Sequence, residues 1–238
     1  MRRYRRVLLV SDTHFSLRDS AESQEELASF VRKQIKTCDA LFLLGDIFDF
    51  YHEYNHVIPK AFFSMYVLFR DLKDMGKDVH YWTGNHDFWH GDFLKSVGVV
   101  VHRKEKMFNL GGVNYLFAHG DDTGRFNPVN LIIKNDINRF LFRHIHPDIG
   151  FEIARVVSRL SRISSSRKKP RIKKYIEFAR SRFRAGADVV VIGHIHEQYA
   201  FKLGEKLFVV LGDWMIHRYY GLIEDGRISL RRWNQLPE

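Results

Sequence analysis

Five short patches carry residue types that bind divalent cations: Asp12-Thr13-His14, Gly45-Asp46-Ile47-Phe48-Asp49, Gly84-Asn85-His86-Asp87, His119-Gly120-Asp121 and Gly193-His194-Ile195-His196. Carboxylate and carboxamide oxygens mixed with imidazole nitrogens suit Mn2+, Fe2+ or Zn2+, and no thiolate is offered that would favour a purely structural zinc site. Together the patches hold enough ligands for two such ions. A pair of cations about 3.5–4 Å apart polarises a phosphoryl group and lowers the pKa of a bridging water. The pair needs one ligand that touches both ions, and a carboxylate with its two oxygens serves best. One Asp-x-His arises by chance in many proteins; five patches in series, each in the same setting, do not.

That setting is the end of a short apolar run. Residues 6–10, 40–44, 79–82, 113–117 and 188–192 are rich in Val, Leu, Ile and aromatics, and each stops at a patch. They read as buried strands whose following loops carry the chemistry, as open α/β sheets arrange it. Helical periodicity lies between the early strands, at about 22–36, with Leu27, Phe30, Val31 and Ile35 on one face, and at about 59–73, with Pro59 as first helical residue. Alternating strand and helix implies a largely parallel sheet. Beyond Ile192 the texture changes to short runs at 199–203, 206–211, 221–224 and 228–233, separated by Gly-Glu and Asp-Gly turns. These read as antiparallel hairpins, and a second sheet packed on the first follows.

Composition limits the setting. The chain has 238 residues, 45% of them hydrophobic, enough for one large α/β domain with an insertion. Its single cysteine, Cys38, excludes an internal disulfide, suits a reducing cytosol and is expected to pack at the start of the second strand. Val7-Leu8-Leu9-Val10 is too short for the apolar region of a signal peptide, and no stretch approaches the ~18 apolar residues of a membrane span. A cytoplasmic protein is expected, one that at most rests on the inner face of the cell membrane.

Net charge is +10, but residues 124–186 hold sixteen Lys and Arg against four Asp and Glu, a local +12 that leaves the remainder at −2. This block separates the fourth and fifth patches. Ile133, Ile137, Phe140, Leu141 and Ile145 recur at helical spacing, as do Ile149, Ile153, Val156, Val157, Leu160 and Ile163. Pro147 divides the two series, Ser164-Ser165-Ser166-Arg167-Lys168-Lys169 reads as a polar connection, and Pro170 opens a third helix. The expected organisation is a core of residues 1–125 and 186–238 with an inserted basic helical cap, 126–185. An anionic partner for the cap follows from its charge. It is a lipid surface, a nucleic acid or, if the charges form only a solvated helix face, none. Against nucleic acid, the charges alternate with aliphatic residues rather than with aromatics that could stack bases.

The chain resembles the calcineurin-like metallophosphoesterases in the ordered series Asp12-x-His14, Gly45-Asp46-x-x-Asp49, Gly84-Asn85-His86-Asp87, His119 and Gly193-His194-x-His196. The resemblance covers nearly everything outside the basic insertion. It implies a four-layer α-β-β-α sandwich of two mixed sheets. It implies that Asp12, His14 and His196 bind one metal, that Asn85, His119 and His194 bind the other, and that Asp46 bridges, with Mn2+ the expected ion and Fe2+ or Zn2+ the alternatives. His86 is then not a ligand: its counterpart stabilises charge on the phosphate or protonates the leaving oxygen, and Asp87 orients it. A carboxylate-held His is a plausible proton donor near neutral pH. Asp49 and Asp121 are expected to steady ligands or cap turns. The other eight histidines, at 52, 56, 80, 90, 102, 144, 146 and 217, read as packing or surface residues, with His217 the one to watch after Gly212-Asp213-Trp214.

Within that superfamily the chain looks most like the UDP-2,3-diacylglucosamine pyrophosphatases of lipid A synthesis. The likeness lies in Leu43-Leu44-Gly45-Asp46-Ile47-Phe48-Asp49-Phe50, Gly84-Asn85-His86-Asp87-Phe88, His119-Gly120-Asp121 and Leu211-Gly212-Asp213-Trp214. The basic insertion also looks like that family's lid over acyl chains. A cationic amphipathic cap would lean on anionic headgroups, each basic residue adding about 1 kcal/mol. One departure stands: that family usually carries Arg at the position of His86, where His is the general choice of the superfamily. The implied reaction is hydrolysis of a phosphoanhydride or phosphodiester, with a lipid-linked nucleotide as favoured substrate. Nucleic acid, small diesters and phosphoproteins are the alternatives, and a scaffold that has lost catalysis belongs to another class.

Overall fold

The computed structural model of the chain describes residues 4–18, 20–121, 135–166 and 172–234. In chain order the elements are β1 (Arg6–Val10), α1 (Ala21–Ile35), β2 (Ala40–Leu43), α2 (Phe63–Asp74), β3 (Asp78–Trp82), α3 (Phe93–Ser96), β4 (Val99–His102), β5 (Lys106–Leu110) and β6 (Val113–Ala118). Then come α4 (Asp136–Phe142), α5 (Pro147–Ser166), α6 (Ile172–Arg184), β7 (Val189–Ile192), β8 (Tyr199–Leu203), β9 (Lys206–Val210), β10 (Tyr219–Glu224) and β11 (Arg227–Arg232).

Two sheets form, in the orders β11-β10-β1-β2-β3-β4 and β5-β6-β7-β9-β8. Strands β1 to β4 are mutually parallel, as are β6, β7 and β9, and antiparallel strands close the edges. Side chains alternate across each strand. In β1, Leu8 and Val10 meet α1 and α2 on one face. Val7 and Leu9 instead join Phe42, Trp82, Tyr115, Phe117, Val191 and Val209 between the sheets. Phe42 sits at the centre of that inner core, its ring 4.8–5.9 Å from those of Tyr4, His80, Trp82, Phe108 and Phe117. The outer face of the second sheet is covered by Tyr175, Phe178 and Ala179 of α6. The layers are therefore helix, sheet, sheet, helix, as expected.

Three details differ from the sequence pattern. The strands before the fourth and fifth patches, β6 and β7, belong to the second sheet, while the last hairpin, β10–β11, returns to the first and pairs antiparallel with β1. Hydrophobic runs announce strands but not partners, and this pairing covers what would be an open edge at β1. Strands β4 and β5 extend the pattern. Pro59 stays extended (ψ 104°) ahead of a 3-10 turn, Lys60–Phe62, instead of starting the helix.

In the basic block, α4 and α5 rest on the core through Phe142, whose ring lies 4.9–5.4 Å from those of Phe50, His52 and Trp89. Phe151 against Tyr54 at 5.8 Å and an Arg18–Glu152 ion pair at 2.5 Å add to the seat. Helix α5 runs through Ser166, so the polar connection expected from Ser164 starts inside the helix; Ile133, Arg167-Lys168-Lys169 and Pro170 lie outside the described residues. Helix α6, inside the 126–185 stretch, packs on the second sheet. Cys38 is buried in the outer core of the first sheet. No helix among the described residues is long and apolar enough to cross a membrane.

Candidate metal centre

The loops after β1, β2, β3, β6 and β7 converge at one edge of the sandwich. The first two run side by side, with Asp12 N donating to Gly45 O (3.1 Å), His14 N to Asp46 O (3.0 Å) and Asp49 N to Phe15 O (2.9 Å). The fifth joins them where His194 N donates to Asp12 Oδ2 (3.0 Å). Gly193 permits that approach, because a Cβ there would run into Ser11 Oγ and lie 2.8 Å from Asp12 Oδ2. Likewise a Cβ on Gly84 would run into the Asp46 carboxylate. Asp12, His14, Asp46 and His194 have φ of +53°, +48°, +49° and +64°. Non-glycine residues rarely adopt this left-handed region, at a cost of about 1–3 kcal/mol each, and such strain gathers at functional sites.

Among the described residues convergence makes three groups whose ligand atoms lie within 4.8 Å of one another: Asp12, His14 and His196; Asp46, His119 and His194; and a set of His14, Asp49 and His86 that shares His14 with the first. His14 Nε2 and His196 Nε2 stand 3.3 Å apart, with Asp12 Oδ1 3.8 Å from the former and 3.7 Å from the latter. His119 Nε2 is 3.2 Å from His194 Nδ1 and 3.3 Å from Asp46 Oδ2. The same Asp46 Oδ2 is 3.9 Å from His14 Nε2, so this carboxylate borders both groups.

Hydrogen bonds fix which ring atoms are free. His119 Nδ1 lies 2.7 Å from the carbonyl of Leu44, which can only accept, so Nδ1 carries the proton and Nε2 keeps its lone pair toward Asp46 and His194. His14 Nδ1 lies 3.3 Å from Asp49 Oδ1, a charge contact beside the residue expected to steady a ligand. Asp121 lines a cleft beside His119. The donor set fits divalent cations on a further count: Asp12 Oδ1 and Asn85 Oδ1 are buried without a hydrogen-bond partner among the described residues, which is costly unless a cation meets them.

His86 stands at the border of the first group, its ring 5.1 Å from that of His14. Its backbone N–H donates to Asp46 Oδ1 (3.0 Å) and its Nδ1 meets the carbonyl of Asp49 at 3.1 Å. Asp87 was expected to orient this ring, but its oxygens are engaged elsewhere. Oδ2 accepts from Ile47 N (2.7 Å), Phe48 N (3.3 Å) and the Tyr81 hydroxyl, and Oδ1 from Gly84 N (2.7 Å). Fully buried, Asp87 ties the second loop to the third and holds Asp46 and Asn85 in register. Ser11, which donates to Asp12 Oδ2, and Tyr81 were missed by sequence reasoning; their places at the ends of β1 and β3 were the only local signal. His217 meets Asp213 Oδ1 at 2.5 Å and closes a local turn, outside both ligand groups.

Electrostatics at the site follow from burial of unpaired charge. Burial would raise Asp46, but the charges of His119, His86 and His14 outweigh it and hold the carboxyl well below the usual range. Burial lowers His14 and His119, yet His14 is pushed up to about 9 by Asp49, Asp46 and Asp12, and His119 is raised well above its ordinary value, chiefly by Asp46. His194 is pushed down to about 3 by burial and the charge of His119. Asp87 is raised to about 6 by burial and the Asp46 charge, against the hydrogen bonds from Tyr81 and Gly84.

Metal-free protein therefore carries a proton on His14 at neutral pH, where cations would otherwise balance the carboxylates. Binding of a cation by His14 requires release of that proton, and calorimetry in buffers of different ionisation enthalpy should detect it. Because the folded pKa of His14 lies above the unfolded value of 6.5, its contribution to stability is complete below pH 6.5 and disappears as pH rises through about 9. The Tm of chelator-treated protein should fall across that window, whereas that of metal-loaded protein should not. A flat Tm after chelation contradicts this account.

Residues 5–198 match the family described as Calcineurin-like phosphoesterase. The chain belongs to that family of metal-dependent hydrolases of phosphate esters. Among individual relatives, UDP-2,3-diacylglucosamine hydrolase of Porphyromonas gingivalis is 27% identical over 91% of this chain and 93% of its own length. The enzymes of the same description from Pseudomonas syringae pv. tomato and Neisseria meningitidis serogroup B are 25% and 27% identical, over 98% and 90% of this chain and 97% and 91% of their own lengths.

Proposed function

We infer that this protein hydrolyses a phosphoanhydride or phosphodiester at a dinuclear centre, with a UDP-2,3-diacylglucosamine-like nucleotide lipid as its substrate. The observation that carries the centre is the position of Asp46 Oδ2, 3.9 Å from a nitrogen of one ligand group and 3.3 Å from a nitrogen of the other. In this reading Asp12, His14 and His196 hold one ion, Asn85, His119 and His194 the other, and Asp46 both; Mn2+ is the preferred ion. The bound cations would polarise the phosphoryl oxygens and activate a water. His86, with Nδ1–H donating to Asp49 O, has Nε2 left to stabilise the phosphoryl charge or to protonate the leaving oxygen. Asp87 positions the loops that carry Asp46 and Asn85.

Support for a lipid substrate comes from the cap. Ile137, Phe140, Leu141, Ile149, Ile153 and Val156 of α4 and α5 are between 46% and 66% exposed, an apolar face turned outward on basic helices. Such a face suits acyl chains and the anionic inner face of the cell membrane better than nucleic acid, which asks for stacking aromatics. The relatives named above act on a substrate of that kind. Metal-supplemented hydrolysis across nucleotide-sugar lipids, simple diesters and monoesters tests the reading, with the lipid expected to lead. Ile137→Ser combined with Ile153→Ser should lower kcat/KM on the lipid about tenfold more than on a small chromogenic diester. Equal losses on both substrates would remove the lid from the proposal.

A further inference from the structure

We propose that a cleft beside the second ligand group, walled by Arg103, Lys104 and Arg182, receives the anionic, water-soluble half of the substrate, the phosphate-bearing group that carries no acyl chain. The inference deepens the function proposed above and rests on it. The cleft has a volume of about 260 Å³ and runs from His119, Gly120 and Asp121 out to the β4–β5 connection and to α6. That is just under the volume of about 300 Å³ at which pockets for small ligands begin, too small for a diacylated sugar and large enough for a phosphate with a compact polar group. No described residue of α4 or α5 lines it, so it opens on a different wall of the centre from those two helices.

Its cations are placed for anion recognition. Arg182 is anchored at Nε by Glu105 (2.8 Å) and lies over the Phe178 ring at 4.8 Å. This pairing spends the Glu105 charge and leaves further guanidinium N–H groups to donate. Arg103 is steadied by one bond to the His90 carbonyl (3.0 Å), and exposed Lys104 stands beside it on the rim. Arg presents a planar fork that matches phosphate oxygens, and a cleft focuses the field of such charges on an anion. Trp82 lines the same cleft at 1% exposure. With one wall cationic and the other end of the centre under an apolar cap, an amphiphilic phosphoanhydride would lie across the metals in one direction only.

A nucleoside 5′-monophosphate serves as the probe, with the metal-supplemented full chain. Competitive inhibition of bis(p-nitrophenyl) phosphate hydrolysis is expected, and Arg103→Gln or Lys104→Gln should each weaken it about fivefold to tenfold, with the double variant weaker still. Lys104 is exposed, so its variant reports on binding even if Arg103→Gln disturbs the fold. The ratio of kcat/KM for a dinucleotide pyrophosphate over the small diester should fall by a similar factor. An unphosphorylated nucleoside should inhibit little; equal inhibition by both would overturn the assignment to an anion. Unchanged inhibition in both variants would overturn the cleft itself. If wild type hydrolyses neither substrate, the proposed function fails, while equilibrium dialysis of the monophosphate against wild type and variants still decides the cleft.

Discussion

Asp46→Ala is expected to abolish hydrolysis and to strip both cations together. The carboxylate is fully engaged: Oδ1 accepts from His86 N at 3.0 Å, and Oδ2 stands between His14 Nε2 and His119 Nε2. Without it, the two imidazole groups confront each other across a cavity with no shared anion, and the attraction that draws two divalent ions together is lost. Since a metal pair supplies several kcal/mol of transition-state stabilisation, kcat/KM should fall by at least about 10³-fold. Elemental analysis after dialysis should find both ions depleted. Asp46→Asn, which keeps the shape and one acceptor oxygen, should retain more metal than Asp46→Ala but little activity. Full turnover with both ions retained in Asp46→Ala would remove the bridging assignment.

His86→Ala should separate chemistry from metal binding. Metal content should stay at the wild-type level, while kcat falls about 10²- to 10⁴-fold, the range for loss of a positioned acid or charge-stabilising group. The loss should be smaller with a p-nitrophenolate leaving group, which departs without a proton, than with an alkoxide. His86→Arg offers a sharper comparison, because Arg brings fixed charge but no transferable proton. On a phosphoanhydride, whose departing phosphate needs little protonation, that variant should keep far more activity than on an alkyl ester. Loss of one ion from His86→Ala would instead make His86 a ligand, a possibility its closeness to His14 and Asp49 makes concrete.

Both expectations concern residues legible in the primary chain. Each of the five patches is short, and each follows an apolar run, so local residue type and the strand-to-loop transition suffice to mark Asp12, His14, Asp46, Asn85, His119, His194 and His196 as candidates. The strands at 6–10 and 199–203 coincide with β1 and β8 to the residue. Helix α1 was read correctly within one residue at each end, because its buried face recurs with the helical period. Strand β4 was as plain a signal, with Val99-Val100-Val101 in succession, but its brevity hid it. Strand β5, whose Lys106-Met107-Phe108-Asn109-Leu110 mixes polar and apolar residues with only Leu110 buried, carries no such mark.

Residue chemistry and strand-end position, then, were determined by the sequence by itself: which side chains could ligate, that they end strands, and that a basic block interrupts them. Tertiary structure alone decided that β6 and β7 pair in the second sheet, so that His119 and His194 meet Asp46 across the sandwich from a different sheet. It alone set Asp87 to join two loops instead of facing His86, and brought Arg103, Lys104 and Arg182 to one cleft. The partners concerned are far apart in the chain: 75 residues separate His119 from His194, and 182 separate His14 from His196. Local propensity reports on a residue and its near neighbours, whereas these contacts exist because two sheets bury one apolar core between them and bring their loop-bearing ends to a common edge.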